Sequence, residues 1–179
     1  MSVADPSEAL PPLALSVRQP WAWAIIHGGK VIENRSLGSI KSGGMDCRRI
    51  ALHAAIGMRE NEYRWGLHKL HEHGETCPLP TDLIRGAIIG TVDVVDIISE
   101  CDSPWFSQRP GNHGLVLENP LPCDPVPAKG ALGYFEWERS EAVAEPLPWM
   151  KRYGSPDETT GLLFDDLPPG FKSPPEKPF

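Results

Sequence analysis

Apolar and polar positions follow a definite order through the first two thirds of the chain. Leu13-Ala14-Leu15-Ser16-Val17 is a short apolar run bounded by polar residues, which predicts a buried strand. Pro20 stands where a first helical turn accepts proline, and Trp21, Ala24 and Ile25, joined by Trp23, give a short apolar helix face. Gly28-Gly29 ends that helix, and Val31 to Arg35 predicts a second strand. Ser36 to Asp46 is rich in glycine and serine and predicts a loop, and Arg48 to Ala55 predicts a third strand. Between Arg59 and His73, Tyr63, Leu67 and Leu70 recur at helical spacing until Cys77-Pro78-Leu79-Pro80 breaks the pattern. Thr81 to Leu83 predicts a brief helical turn. Gly86 to Ile98 gives the strongest strand signal, with a bend at Gly90. His113 to Leu117 predicts another strand followed by a proline-rich connection, and the alternation from Gly133 to Glu138 closes the set.

Five or six strands with helices inserted early predict an α+β fold, a small barrel-like sheet rather than alternating βαβ units. A chain of 179 residues, 40% of them hydrophobic, suits one core with extensions. Its 20 prolines crowd both ends, so the pattern divides it into a flexible leader over 1–11, a folded domain over 12–139 and a proline-rich acidic tail over 140–179.

No apolar run is long enough to cross a bilayer, and Met1 to Pro12 lacks the basic start and apolar middle of a signal peptide. Cys47, Cys77, Cys101 and Cys123 are scattered without a CxxC pair, so the expected compartment is the reducing cytoplasm. Charge changes the picture more by its distribution than by its sum of −7. From Leu13 to Arg59 seven basic residues face only Glu33 and Asp46, whereas from Ser140 onward four basic residues face seven acidic ones. A basic face on the N-terminal half, suited to nucleic acid, and scattered solvated charge are equal readings of that count.

The chemistry concentrates in residues 16–35, SVRQPWAWAIIHGGKVIENR. Strand period two puts Glu33 and Arg35 on one side, and Lys30 sits at the strand's start where the chain turns. A lysine beside a carboxylate can form an acid–base pair, and a nearby arginine can grip phosphate through its planar fork. The same residues also read as a structural ion pair that pins the strand.

Trp21 reads as a core residue or as a stacking platform for a base. Ser16, Arg18 and Gln19 offer hydrogen-bonding groups beside Lys30. His53 reads as a satisfied core histidine or as a cleft residue, and Lys129 as a solvated turn residue or the far wall of a cleft. His68, His71 and His73 with Cys77 have the residue types of a zinc site, but Glu72 and Glu75 interrupt them and no cysteine pair anchors them. A polar helix end is the better reading, and no metal or other cofactor is expected.

The run Ser16-Val17-Arg18-Gln19-Pro20-Trp21, followed by Gly28-Gly29-Lys30-Val31-Ile32-Glu33-Asn34-Arg35, resembles the ASCH domain, whose hallmark is GxKxxExR. Ile50 to Ala55, Gly86 to Gly90, Leu115 to Leu117 and Pro127 to Phe135 continue the resemblance over about residues 12–139. It implies a PUA-like small barrel of five to six strands with flanking helices and a cleft beside the first helix. It also implies an RNA- or nucleotide-like ligand, with Arg18, Gln19, Trp21, Arg35, His53 and Lys129 as candidate binding residues. Lys30 and Glu33 are the candidate catalytic pair should the domain be hydrolytic, either as a ribonuclease or on a modified nucleoside. In the small ASCH-like acetylcytidine amidohydrolases a threonine nucleophile stands three residues after the motif lysine. Here Glu33 takes that place, which speaks against that mechanism. A third implied role is a coactivator-type interaction module. By its composition the acidic-hydrophobic Leu162-Leu163-Phe164-Asp165-Asp166 reads equally as a partner-docking segment, a segment folded back over the basic face or an uncommitted extension.

Overall fold

The computed structural model describes residues 10–154. Six strands form one curled mixed sheet, a half-barrel, in the order β2-β5-β4-β3-β1-β6. They are β1 (Leu13–Val17), β2 (Ile32–Ser36), β3 (Arg49–Ala54), β4 (Ala87–Ile98), β5 (Asn112–Pro127) and β6 (Tyr134–Glu136). Only β1 and β3 run parallel; the other pairings are antiparallel. The helices are α1 (Trp21–His27), α2 (Leu37–Ser42) and α3 (Glu60–Glu72). The fold is therefore α+β with the strand count that the sequence pattern implies. Among the described residues, no helix is long and apolar enough to cross a membrane.

The two faces of β1 separate two cores. Leu15 and Val17 join Ile25, Leu52, Val92 and Leu115 under α1, while Ala14 joins Ala51, Ile88, Val126 and Ala128 on the other face. A third cluster packs α3, through Tyr63, Leu67 and Leu70, against Ala24 and Ile32.

The connection from α1 to β2 sets the position of the motif. Pro20 has no side-chain cap to offer, and the Gln19 side chain accepts from the Trp23 N–H at 2.9 Å instead. The other end of that amide donates to the Ile84 carbonyl at 2.8 Å, fixing the start of α1 to the approach of β4. At the C-terminus the two glycines have different work. A Cβ at Gly28 would sit 2.8 Å from Leu70 Cδ2, so the first glycine lets α1 approach α3. Gly29 has φ of 68°, the left-handed turn that stops the helix, and the Lys30 N–H returns to the Ala24 carbonyl.

Four segments differ from expectation. The glycine-rich stretch after β2 contains α2, because Ser36 Oγ accepts from the Ser39 N–H and Ile40 is buried beneath it. Thr81 to Leu83 is a non-helical turn and bend. The proline-rich connection is the second half of β5, where Pro122 and Pro127 lie opposite Gly90 and Ala87. β2 pairs only with the first half of β5, so those prolines occupy a strand whose other edge carries no ladder. Packing also continues past Arg139: Met150 is fully buried, and Arg85 donates to the Glu145 carbonyl. Most of the leader and the segment around Leu162 to Asp166 lie outside the described residues.

Candidate functional site

The motif residues meet as a buried charge array. Lys30 turns inward from the end of Gly29, donating to Glu33 Oε2 at 2.7 Å and to the Ile32 carbonyl. The other carboxylate oxygen, Oε1, lies 3.1 Å from a terminal nitrogen of Arg35. Lys30 is 5% exposed and Glu33 8%. Burial pushes the Glu33 carboxyl up, but Lys30 and then Arg35 outweigh it and hold the group below its ordinary value. Glu33 is thus ionised, with each oxygen engaged by a cation. The array carries two positive charges against one negative, and Arg35 Nε is buried without a hydrogen-bond partner.

Arg35 also reaches across the half-barrel and donates to the Ser16 carbonyl at 2.8 Å. That carbonyl is available for a topological reason. The Val17 carbonyl accepts from the Ala55 N–H on the β3 side, and strand carbonyls alternate, so Ser16 C=O faces the other way. β6 pairs only with Leu13 to Leu15 and ends before it. Arg35 fills the place of the missing strand.

On its side-chain face Ser16 meets a second cluster. Parallel pairing sets Ser16 opposite His53, and Ser16 Oγ lies 2.8 Å from His53 Nδ1. His53 Nε2 lies 3.0 Å from the Ala128 carbonyl, which can only accept, so Nε2 carries the proton and Nδ1 accepts from the serine hydroxyl. Burial pushes the imidazole below its ordinary value, against a smaller opposing effect of the Ala128 carbonyl.

Lys30, Glu33 and Arg35 therefore converge, with His53 beyond Ser16 and the exposed Lys129 next to Ala128. The remaining candidates face elsewhere. Arg18 pairs with Glu62 of α3 at 2.5 Å, and Gln19 spends both amide ends on the backbone. Half-buried Trp21 packs edge-on against Trp65 with ring centres 5.4 Å apart. The basic excess of the N-terminal half is also largely neutralised in space. Arg18, Lys30, Arg35, Arg48 and Arg49 pair with Glu62, Glu33, Glu33, Asp46 and Asp93 respectively. Three of the zinc-type side chains are engaged separately: His73 stacks on Trp105, His68 lies by Glu72, and Cys77 is buried. Among the described residues, no group of three His, Cys, Asp or Glu is placed to hold a metal ion.

Ser16, expected only as a polar group beside Lys30, and Asn34 take roles that the motif does not show. Ser16 joins the clusters through its carbonyl and its hydroxyl. Asn34 points away from the array and holds the β4–β5 loop, through the Trp105 carbonyl, the Ser107 N–H and the Asn112 side chain. Its strand phase, opposite to Glu33 and Arg35, was the available signal. Behind Lys30 lies a cavity of about 100 Å³ lined by Ile25, Ile26, Val92 and Leu117. That volume suits a few waters and is well below ordinary ligand pockets. Arg35 and Ser16, both partly exposed, lie outside the cavity lining.

No protein-family model matches the chain, and no curated protein matches it. Among solved structures it is similar to an ASCH protein from Zymomonas mobilis, at 11% identity and a TM-score of 0.35, over 78% of this chain and 90% of that one. So weak an overlap assigns neither a family nor an activity to the chain.

Proposed function

We propose that this chain is an ASCH-type, PUA-like domain that binds single-stranded RNA or a nucleotide-like ligand at the mouth where Arg35 meets β1. The observation that carries this reading is the uncompensated charge: Lys30 and Arg35, both largely buried, share the single carboxylate of Glu33. Burying a net charge is costly, and apolar residues of similar volume serve stability as well or better. A fixed positive excess at a poorly solvated position acts strongly on an approaching anion. The motif resemblance supplies the class of that anion, a phosphate of RNA. Arg35 is the primary phosphate contact, and the exposed Lys129 is an outer contact. A carboxylate held below its ordinary value is a weak base, so binding is favoured over water activation by Glu33 with Lys30.

The test is anisotropy titration of a labelled single-stranded RNA oligomer with the full chain at 50 and 200 mM salt. Two phosphate contacts give a slope of about −1.4 in log affinity against log salt, or about sevenfold weaker binding across that range. Arg35→Ala with Lys129→Ala should weaken binding and flatten the slope toward zero. Unchanged titrations with the folded double variant would point to a protein partner, and no binding at low salt would sink the reading.

A further inference from the structure

We propose that Ser16 and His53 form a nucleophile–base pair that hydrolyses small acyl esters, with Ser16 Oγ as the attacking atom. The inference goes beyond RNA binding and does not depend on it. Its first support is the fixed tautomer. With Nε2–H committed to the Ala128 carbonyl, Nδ1 is an acceptor aimed at the serine hydroxyl, 2.8 Å away. The carbonyl orients the ring as a third member does in a serine–histidine triad. The second support is the division of exposure: His53 is 1% exposed, whereas Ser16 is half-buried at the edge of β1. The base is shielded from water, and the residue that carries the nucleophile is partly exposed.

Gly130 supplies the third support. A Cβ there would lie 2.7 Å from both Ser16 Oγ and His53 Cε1. Gly130 is not among the glycines with positive φ, so its backbone conformation does not demand glycine. The close approach does: the Gly130 backbone packs directly over the Ser16–His53 pair and covers it on that side.

In the reaction, Ser16 Oγ bonds to the acyl carbon as its proton passes to His53 Nδ1. The addition moves negative charge to the former carbonyl oxygen of the substrate, and the cation bonded to Ser16 is Arg35, 2.8 Å from the Ser16 main-chain carbonyl oxygen. Collapse breaks the ester C–O bond, and the alcohol leaves with the proton returned by His53. Water then adds to the acyl-serine through the same relay, releasing the carboxylic acid and restoring the hydroxyl.

The test exposes the full chain to a small alkyl fluorophosphonate, which would form an Oγ–P bond with loss of fluoride, and maps the adduct by peptide mass spectrometry. Ser16 should react about 100-fold or more faster than the exposed Ser42, the range general-base assistance supplies. His53→Gln should remove that advantage, and Gly130→Ala should slow labelling by crowding the hydroxyl. A wild-type chain in which Ser16 reacts no faster than Ser42 overturns the proposal whatever the variants do. A folded His53→Gln chain that labels Ser16 at the wild-type rate overturns it as well.

Discussion

The charge array on β2 and the Ser16–His53 pair on β1 and β3 are both buried polar clusters, and they meet at one residue by opposite means. In the array every partner is ionised, each Glu33 oxygen faces a cation, and the cations also grip the Ile32 and Ser16 carbonyls. In the pair both partners are neutral, and one proton is shared between an oxygen and a nitrogen. The first arrangement holds charge still, which suits attraction of an anion and does little for proton transfer. The second buries no net charge, so its desolvation cost is smaller, and it leaves Nδ1 of a neutral imidazole as an acceptor. Ser16 belongs to both because a strand residue presents its carbonyl in the sheet plane and its side chain out of it.

The largest effect should come from breaking the array unevenly. Glu33→Ala leaves two buried cations with no carboxylate, and loss of one partner of a buried ion pair costs about 3–5 kcal/mol. Lys30→Met leaves Glu33 and Arg35 as a one-to-one pair and should cost less than half as much. Urea unfolding of the two variants gives the comparison directly. Equal losses would mean that the array behaves as ordinary packing rather than as a charge balance.

Acid separates the two clusters by where stability is lost. Glu33 and His53 both titrate below their ordinary values in the folded chain, so the unfolded chain binds more protons and stability falls as pH falls. For His53 the loss begins below 6.5 and continues down through its folded value. For Glu33 it begins below 4.5. Unfolding free energy measured across that range should lose its upper step in His53→Gln and its lower step in Glu33→Gln. A variant that flattens both steps would show the clusters to be one titrating unit.

The sequence disclosed these clusters unequally. Glu33 and Arg35 share a side because of strand period alone, and Gly28-Gly29 marks the turn that brings Lys30 in; each is local. The strands β1, β3 and β4 and the helices α1 and α3 were legible for the same reason. α2 depends on the Ser36 cap within a glycine-rich stretch, and the second half of β5 depends on having one unpaired edge. Ser16 and His53 are 37 residues apart and meet only through a parallel register that no local pattern encodes. Charge counting failed similarly, because Arg18 and Arg49 find their acids at Glu62 and Asp93, outside the basic stretch.

The smallest effect, and the sharpest division between the clusters, should follow Ser16→Ala. The substitution removes the hydroxyl that donates to His53 Nδ1 and leaves a buried acceptor unsatisfied, at a cost of about 1–3 kcal/mol. Alanine keeps the backbone carbonyl, so the bond from Arg35 survives and the array should be untouched. The acid step of Glu33 and the salt slope of RNA binding should therefore match wild type, while labelling at position 16 disappears. A double-mutant cycle gives the same contrast in stability. Ser16→Ala with His53→Gln should be non-additive, because the two side chains share one hydrogen bond, with a coupling of about 0.5–3 kcal/mol. Ser16→Ala with Glu33→Gln should add to within about 0.5 kcal/mol, since Glu33 is linked to Ser16 through Arg35 and a backbone carbonyl that neither change removes. Strong coupling in the second cycle would mean that the hydroxyl and the charges act as one network, and the separation of a binding cluster from a reactive one would fail.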